Sequence, residues 1–163
     1  MNFIFEKMSK EHCTEVIDIF NYYVRETFNT YLEDCVPFDF YDSLLKKIED
    51  YPSCVVKTKD GRVVGFGMLR AYDPRPTFSH TATISYFIEP EFCNCGIGSD
   101  MLARLIAEAR LKGIKTVLAR ISALNEGSIR FHMKHDFTEC GRFKQVCRKK
   151  GQDFDVVWMQ LMI

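Results

Sequence analysis

The sequence predicts an α/β protein in which a mixed, mostly antiparallel sheet carries helices on both faces. Two β-rich runs joined by a hairpin turn come first, strand–helix–strand units follow, and the helical segments are amphipathic. The chain has 163 residues and shows no linker, repeat or low-complexity tract. That length can bury a core of its own, so we expect one domain over residues 1–163.

The first half of the chain predicts two helices and a hairpin. Residues 2–6 form a β-rich run, and Ser9 can cap a helix that follows it. Asp39 can cap a second helix in the same way. Residues 54–58 and 63–69 are β-rich runs joined by a Lys-Asp-Gly turn, which is typical of a hairpin.

The second half predicts the strand–helix–strand units. Residues 72–79 contain Asp-Pro-Arg-Pro, which a helix or a central strand does not tolerate, so they form a loop. Residues 81–88 are rich in β-branched and aromatic side chains and predict a strand. An amphipathic helix follows and ends near Gly113. The remaining elements are a strand over 116–121, a helix over 125–134, and strands over 137–146 and 154–162.

Composition excludes several classes of protein. Lys plus Arg and Asp plus Glu both number 22, so the chain lacks the cationic excess that nucleic acid or an anionic membrane attracts. No apolar run is long enough for a signal peptide or a membrane span. The seven cysteines have irregular spacing, and Cys93 and Cys95 lie too close together for a zinc knuckle. We expect a reduced, cytoplasmic protein without a metal site.

Gly96 and Gly98 form the most informative motif, because they stand between a strand and the amphipathic helix. Glycines there leave the amides of the first helical turn open, and such a turn binds phosphate or pyrophosphate. A Walker loop is excluded, since Ser99-Asp100 follows where Lys and Ser or Thr are required. A dinucleotide fingerprint is excluded because Met101 takes the place of its third glycine.

The order of elements, together with residues 86–98, resembles the GNAT superfamily of N-acetyltransferases. Its signature is Arg or Gln, two residues, Gly, one residue, then Gly or Ala, and here Cys93 stands at the first position. The closer resemblance is to the phosphinothricin-acetyltransferase-like branch. The matching residues, in chain order, are Asn21-Tyr22-Tyr23-Val24, Thr27, Ala119-Arg120-Ile121, Asn125, Ser128-Ile129, His132, Lys134, Phe137, Lys149, Gly151 and Asp155.

The resemblance implies a GNAT fold and acetyl-CoA as the cofactor. Backbone groups of Tyr86, Phe87 and Ile88 would pair with the pantetheine arm, and Asn125, with Ser128 beside it, would contact the same arm. The pyrophosphate would lie against the turn made by Cys93, Asn94, Cys95, Gly96, Ile97, Gly98 and Ser99.

The general base is the main departure from this branch. Members usually carry a Glu, proposed as the base, where this chain has Thr83, and Thr cannot accept a proton at neutral pH. His80 has suitable chemistry but falls on the opposite face by strand alternation. His132 takes the place of a Tyr that protonates the leaving thiolate in many relatives, and Glu89 is a further candidate. The other two histidines are predicted to lie at the surface: His12 and His135.

The acceptor pocket is predicted from two segments. Arg70, Tyr72 and Arg75 lie in or beside the proline loop, where an Arg can clamp a substrate carboxylate. Phe28 and Tyr31, after the first helix, can line the same pocket.

The predicted function is transfer of the acetyl group of acetyl-CoA to a small primary amine, an amino acid or its analogue, by direct attack in a ternary complex. The amine would be the partner, together with a second copy in a homodimer. Thr83 and Cys93 leave open a non-catalytic acyl-CoA-binding or regulatory module. An acetyltransferase acting on protein amines is the third alternative.

Overall fold

The computed structural model describes residues 2–163. Its strands are β1 (Ile4–Glu6), β2 (Ser53–Lys57), β3 (Val63–Ala71), β4 (Thr81–Ile88), β5 (Thr116–Ser122), β6 (Thr138–Lys149) and β7 (Gln152–Met162). Its α-helices are α1 (Cys13–Glu26), α2 (Phe40–Lys47), α3 (Ile97–Leu111) and α4 (Glu126–Lys134). The strands form one sheet in the order β1-β2-β3-β4-β5-β7-β6.

The sheet is antiparallel at every junction except the central one. There β4 and β5 run parallel and pair over three residues, Thr81 to Thr83 against Thr116 to Leu118. Beyond Thr83 the two strands share no ladder, whereas β4 stays paired with β3 as far as Ile88. The sheet therefore opens between the second half of β4 and β5, and we call this gap the central opening.

Helices cover both faces of the sheet, as the sequence predicts. On one face α3 buries its apolar stripe, from Ile97 to Ala109, against the central strands, and Ile129 and Phe131 of α4 pack on the same cluster. On the other face α1 and α2 pack on β2 and β3 around Phe66. The central opening lies between these two apolar layers.

The last two strands are longer than predicted. They meet at Lys150 and Gly151, whose φ angles are +51° and +74°. Positive φ at both central residues is the geometry of a two-residue hairpin that matches strand twist, so pairing continues to the turn.

In the first half of the chain, Asp39 precedes α2 as predicted, but its side chain makes no capping hydrogen bond.

The prediction that His12 lies at the surface is wrong. Its ring is buried, Nδ1 accepts from the backbone N–H of Ser9 at 3.1 Å, and Nε2 lies 3.5 Å from a carboxylate oxygen of Glu6. The ring lies in a short 3-10 turn that leads into α1 and supports that turn from inside.

Three features of the structure concern disulfide bonds, membrane-spanning helices and metal sites. All seven cysteines are free thiols. No helix in residues 2–163 combines the length and hydropathy that a membrane crossing requires. Within the same residues, no group of three or more His, Cys, Asp or Glu side chains is arranged to hold a metal ion.

Candidate active site

The central opening exposes the backbone edge of β4. Tyr86, Phe87 and Ile88 pair with β3 on one side and face the gap on the other. An extended amide-bearing chain can hydrogen-bond to such an unpaired edge as a further strand would. The carbonyl of Ile88 already accepts from the Tyr23 hydroxyl at 2.5 Å, so it is the least available of the three predicted residues.

The glycine turn presents a run of open amides. Gly96 has φ +85° and Asn94 has φ +63°, so the chain reverses sharply before α3. Within residues 2–163, the N–H groups of residues 94–98 find no hydrogen-bond acceptor. Helix α3 is 15 residues long, and its dipole adds positive potential at the same place. These amides fit a pyrophosphate.

Two members of the predicted pyrophosphate set are not open. The amide of Ser99 donates to the carbonyl of Gly96 at 3.0 Å, and the amide of Cys93 donates to Pro90 at 3.2 Å. Their place in the cofactor-binding turn stays a prediction, and the amides of residues 94–98 are the ones without a partner inside residues 2–163. Both groups are used to close the turn around the amides that remain open.

Gly98 stands in a tight corner at the start of α3. A Cβ at this position would stand 3.3 Å from Phe131 Cε2 and 3.6 Å from Ile88 Cδ1. A methyl group would need only a small shift of the Phe131 ring, whereas a larger side chain would meet both neighbours.

Asn125 serves the protein itself in the structure. It is the N-cap of α4, and its Oδ1 accepts from the amide of Ser128 at 3.0 Å. Its Oδ1 keeps a second lone pair and its Nδ2 keeps two N–H donors, so the side chain can cap α4 and still contact a cofactor arm. Ser128 lies in the first turn of α4, as predicted, with Oγ 3.3 Å from His132 Nδ1.

The buried His132 and the half-buried Tyr86 form a polar pair beside the central opening. Nδ1 of His132 donates to the carbonyl of Ser128 at 2.7 Å, so Nε2 accepts from the Tyr86 hydroxyl at 2.5 Å. Burial lowers the pKa of His132 to about 4 and raises the pKa of Tyr86 well above its usual value. At neutral pH this pair is uncharged.

His80 and Glu89 lie outside the opening. His80 occupies an exposed turn before β4, and its carbonyl accepts from the amides of Lys115 and Thr116. At the rise of a strand, His80 is roughly 20 Å along the chain from Tyr86. The Glu89 carboxylate is paired with Arg62. The geometry brings neither group to the open backbone edge.

Four of the five predicted acceptor residues lie near the sheet face opposite α3, and Arg75 is the exception. Arg70 donates from Nε to Thr83 Oγ1 at 3.3 Å. Register places Arg70, Thr83, Leu118 and Arg120 on one face, because each pair is either cross-strand or two residues apart. Arg120 was not among the predicted acceptor residues. The sequence feature that could have indicated this role is a charged residue between two apolar residues, Ala119 and Ile121, which are buried in a central strand.

Two aromatic rings lie beside the exposed Arg120. Its Cζ lies 4.6 Å from the ring centroid of Tyr31 and 5.9 Å from that of Trp158. The ring of Tyr72 meets Trp158 edge-on at 6.2 Å, and Phe28 packs at 5.7 Å on Phe154. The structure therefore brings Phe28, Tyr31 and Tyr72 to the surroundings of one cationic groove.

Arg75 does not join them. Its guanidinium donates to both carboxylate oxygens of Asp73, at 2.8 and 2.7 Å. Because this ion pair lies within the proline loop, the Arg75 guanidinium is already engaged and is not part of the proposed acceptor site.

Lys149 is a further functional candidate. In the sequence it was only one of the residues that match the phosphinothricin-acetyltransferase-like branch. It is fully buried, and its Nζ donates to the carbonyls of Thr27 and Thr30 and to Thr30 Oγ1, at 2.8, 3.2 and 2.9 Å. These three bonds fix the segment after α1 against β6. The rings of Phe28 and Tyr31 are positioned by that segment.

The amino-acid sequence is similar to those of known acetyltransferases. A family model described as "Acetyltransferase (GNAT) family" matches residues 14–137. An L-methionine sulfoximine/L-methionine sulfone acetyltransferase of Salmonella typhimurium is 31% identical over 161 residues, which cover 94% of this chain and 91% of that protein. A phosphinothricin N-acetyltransferase of Streptomyces coelicolor is 28% identical over 93% of this chain and 91% of its own.

Solved structures give the same result for the fold. An acetyltransferase from Salmonella typhimurium, solved with its cofactor acetyl-CoA, superposes with a TM-score of 0.93 at 28% identity, over 99% of this chain and 94% of that one. A ribosomal-protein-alanine N-acetyltransferase from Brucella melitensis also gives 0.93 at 28% identity, over 98% and 99%. The fold class predicted from the sequence is confirmed.

Proposed function

Because the chain belongs to the acetyltransferase (GNAT) family, we propose that it acetylates the α-amine of a free amino acid or of an amino-acid analogue. The enzyme class and the donor, acetyl-CoA, follow from the family. The acceptor class is supported by one observation above others: Arg70 stands beside the central opening, and its only side-chain partner among residues 2–163 is a neutral hydroxyl, that of Thr83. A guanidinium so placed can hold a substrate carboxylate.

The relatives support the same class of acceptor. The two sequence relatives are named for phosphinothricin and for methionine sulfoximine or sulfone, which are amino-acid analogues. Both align with this chain almost end to end, so the segments that form the acceptor face are included in the comparison.

The residues present fit acetyl-CoA. The open amides of residues 94–98 would hold the pyrophosphate, and the free edge of Tyr86 and Phe87 would pair with the pantetheine arm. When bound, acetyl-CoA supplies the thioester that the amine attacks. The chain's own part is to orient that group and to present backbone N–H donors to its carbonyl oxygen.

Proton transfer is proposed to need no side-chain base. Thr83 carries no carboxylate, His80 lies far from the opening, and the uncharged His132 directs Nε2 at Tyr86. A general base works best when its pKa lies near the operating pH, and burial has moved the pKa of His132 to about 4. The acceptor therefore reacts as the free amine, and His132 acts as a positioning residue that fixes the Tyr86 side chain.

This mechanism predicts a simple pH dependence. The rate constant kcat/KM for the acceptor should rise tenfold per pH unit until the pKa of the acceptor's own amine. Acceptors with different amine pKa values should shift the profile by the same difference. An inflection near pH 6–7 that is independent of the acceptor would contradict it and indicate a protein base.

We also propose that the protein is a cytoplasmic homodimer. The edge strand β6 exposes Phe143 and Val146, which are 57% and 61% accessible and would be covered by a second copy. Cys35, Cys93 and Cys95 are exposed free thiols, which suit a reducing compartment. Sedimentation velocity should give a dimer for the wild type and a monomer for Phe143→Asp.

The test of the proposed function is acceptor-dependent release of CoA thiol. Amino acids and their analogues should release thiol from acetyl-CoA, and peptides that present an N-terminal Ala should not. If acetyl-CoA raises the melting temperature but no amine releases thiol, the chain is an acyl-CoA-binding module and not an enzyme. If only peptides react, the enzyme resembles the ribosomal-protein acetyltransferase in its acceptor.

A further inference from the structure

His135 brings an imidazole ring to the start of α3. Its Nε2 lies 3.0 Å from the Oγ of Ser99, in the first turn of that helix, and the residue is half-buried. The imidazole also packs on the ring of Phe131, with the two centroids 4.5 Å apart. Phe131 in turn lies against Gly98, where a Cβ would stand 3.3 Å from its Cε2. Two contacts, one direct and one through Phe131, thus hold the imidazole beside the glycine turn.

The glycine turn carries no cation of its own. Residues 90–99 contain no Lys, Arg or His. Arg62 lies beside this segment, but its guanidinium is already paired with Glu89 and Glu91. A pyrophosphate at the turn therefore needs its positive side-chain partner from another element, and the imidazole of His135 is in contact with that turn.

The imidazole itself has no counter-charge. Among residues 2–163, no carboxylate oxygen lies within 4.0 Å of its ring nitrogens. Its hydrogen-bonded partner there is the hydroxyl of Ser99, which can donate to a neutral ring or accept from a protonated one. In the protonated ring Nε2–H donates to Ser99, and Nδ1–H is left as a donor for a ligand.

The charge of this ring should depend on what the turn holds. Without an anion, the positive end of the α3 dipole disfavours a cation at the start of the helix. A pyrophosphate carries two negative charges and favours the protonated ring instead. Binding of the cofactor and protonation of the imidazole should therefore strengthen each other by the same factor.

We propose that His135, in its protonated form, is a binding residue for the pyrophosphate of acetyl-CoA, so that the affinity for the cofactor rises as the pH falls. This inference rests on the proposed placement of the pyrophosphate at residues 94–98, to which it adds one side chain from the end of α4. At saturating acetyl-CoA the effect leaves kcat/KM for the acceptor unchanged.

The neighbouring groups leave the pH response to this ring. The titratable side chains on the segments that meet here are Cys93, Cys95, Asp100, His132, Lys134 and Asp136. Carboxyl, amino and thiol groups as classes change charge outside the range of about pH 5.5–7.5, whereas imidazole changes charge within it. Burial holds the pKa of His132 at about 4, so that ring stays neutral over the same range.

The probe for this test is dephospho-CoA. It keeps the pyrophosphate and the pantetheine arm but lacks the 3′-phosphate, which itself titrates near neutral pH. Calorimetry at several pH values gives its dissociation constant, and buffers of different ionisation enthalpy give the protons taken up on binding. We expect binding roughly fivefold tighter at about pH 5.5 than at about pH 7.5, with net proton uptake between them.

The decisive variant is His135→Gln, which keeps a polar side chain for Ser99 and removes the charge. It should reduce the pH dependence to less than about twofold and abolish proton uptake. His135→Lys carries a permanent charge, should bind as tightly at pH 7.5 as the wild type does at pH 5.5, and decides the matter if the Gln variant does not fold. His80→Gln, at an exposed histidine outside the site, is the matched control and should keep the wild-type pH dependence.

Two results would overturn the inference: a wild type whose affinity does not change with pH, or a His135→Gln variant with the wild-type pH dependence. The second would make His135 a packing residue between α3 and α4. Gly98→Val separates this inference from the proposed site. If it abolishes binding while His135→Gln behaves like the wild type, the placement of the pyrophosphate stands and only the role of His135 falls. If Gly98→Val binds normally, both fall.

Discussion

The two halves of the active site use different chemical groups, backbone amides in one and side chains in the other. The cofactor half consists of backbone groups: the free edge of β4 and the amides of residues 94–98. The acceptor half consists of side chains from β3, β4, β5 and β7 and the segment after α1. Backbone donors recognise features shared by every CoA ester, whereas side chains can change without loss of the fold. Substitutions can therefore change the acceptor without changing how the donor is bound.

The largest effect is expected from blocking the backbone half. In Gly98→Val the side chain would collide with Phe131 and cover the open amides, so the dissociation constant for acetyl-CoA should rise roughly 1000-fold, about 4 kcal/mol. Calorimetry measures it. Gly141→Val is the matched control, because a Cβ there meets nothing within 4 Å. Unchanged affinity in Gly98→Val would remove the turn from the cofactor site.

The buried His132 should make stability depend on pH. Its pKa is about 4 in the folded chain and about 6.5 in the unfolded chain, so the unfolded state binds a proton first on acidification. The free energy of unfolding should fall by about 3 kcal/mol between pH 6.5 and pH 4, and His132→Gln should remove this loss. Urea unfolding at several pH values measures it, and His80→Gln should keep the loss.

The acceptor half should respond separately from the cofactor half. Arg70→Met removes the proposed carboxylate clamp, so kcat/KM for an amino-acid acceptor should fall about 30-fold, close to 2 kcal/mol. The dissociation constant for acetyl-CoA should stay within twofold. A parallel loss of both would contradict the division of the site into two halves.

The smallest effect is expected from replacing Lys149, whose hydrogen bonds hold the segment that carries Phe28 and Tyr31. Lys149→Met leaves the acceptors of three hydrogen bonds without their donor, partly offset by loss of a buried ammonium group. We expect a loss of about 2 kcal/mol, a fall in Tm of roughly 4–8 °C, and a higher KM for the acceptor. Lys144→Met, at an exposed position of β6, should melt like the wild type. An unchanged acceptor KM in Lys149→Met would limit that residue to stability.

The cofactor half could be predicted from the sequence more fully than the acceptor half. The sheet, the helices and the turn at Gly96 and Gly98 follow from local patterns, namely alternation, amphipathic spacing and glycine before a helix. Local pattern could not show that the amides of Cys93 and Ser99 make hydrogen bonds inside the turn, because those bonds depend on how the turn closes.

The acceptor half was predicted only in part, because it depends on strand register. Arg120 looks like one solvated charge in the sequence, and only the pairing of β4 with β5 puts it on the same face as Arg70. The internal ion pair of Arg75 and the burial of His12 also depend on tertiary contacts, so local pattern could not give them.

A crystal structure of the ternary complex with CoA and an amino-acid acceptor tests the two-part site most directly. We predict the pyrophosphate within about 3 Å of the amide nitrogens of residues 94–98, and the α-carboxylate of the acceptor on Arg70. A pyrophosphate held elsewhere, or an acceptor whose α-carboxylate does not contact Arg70, would contradict the account.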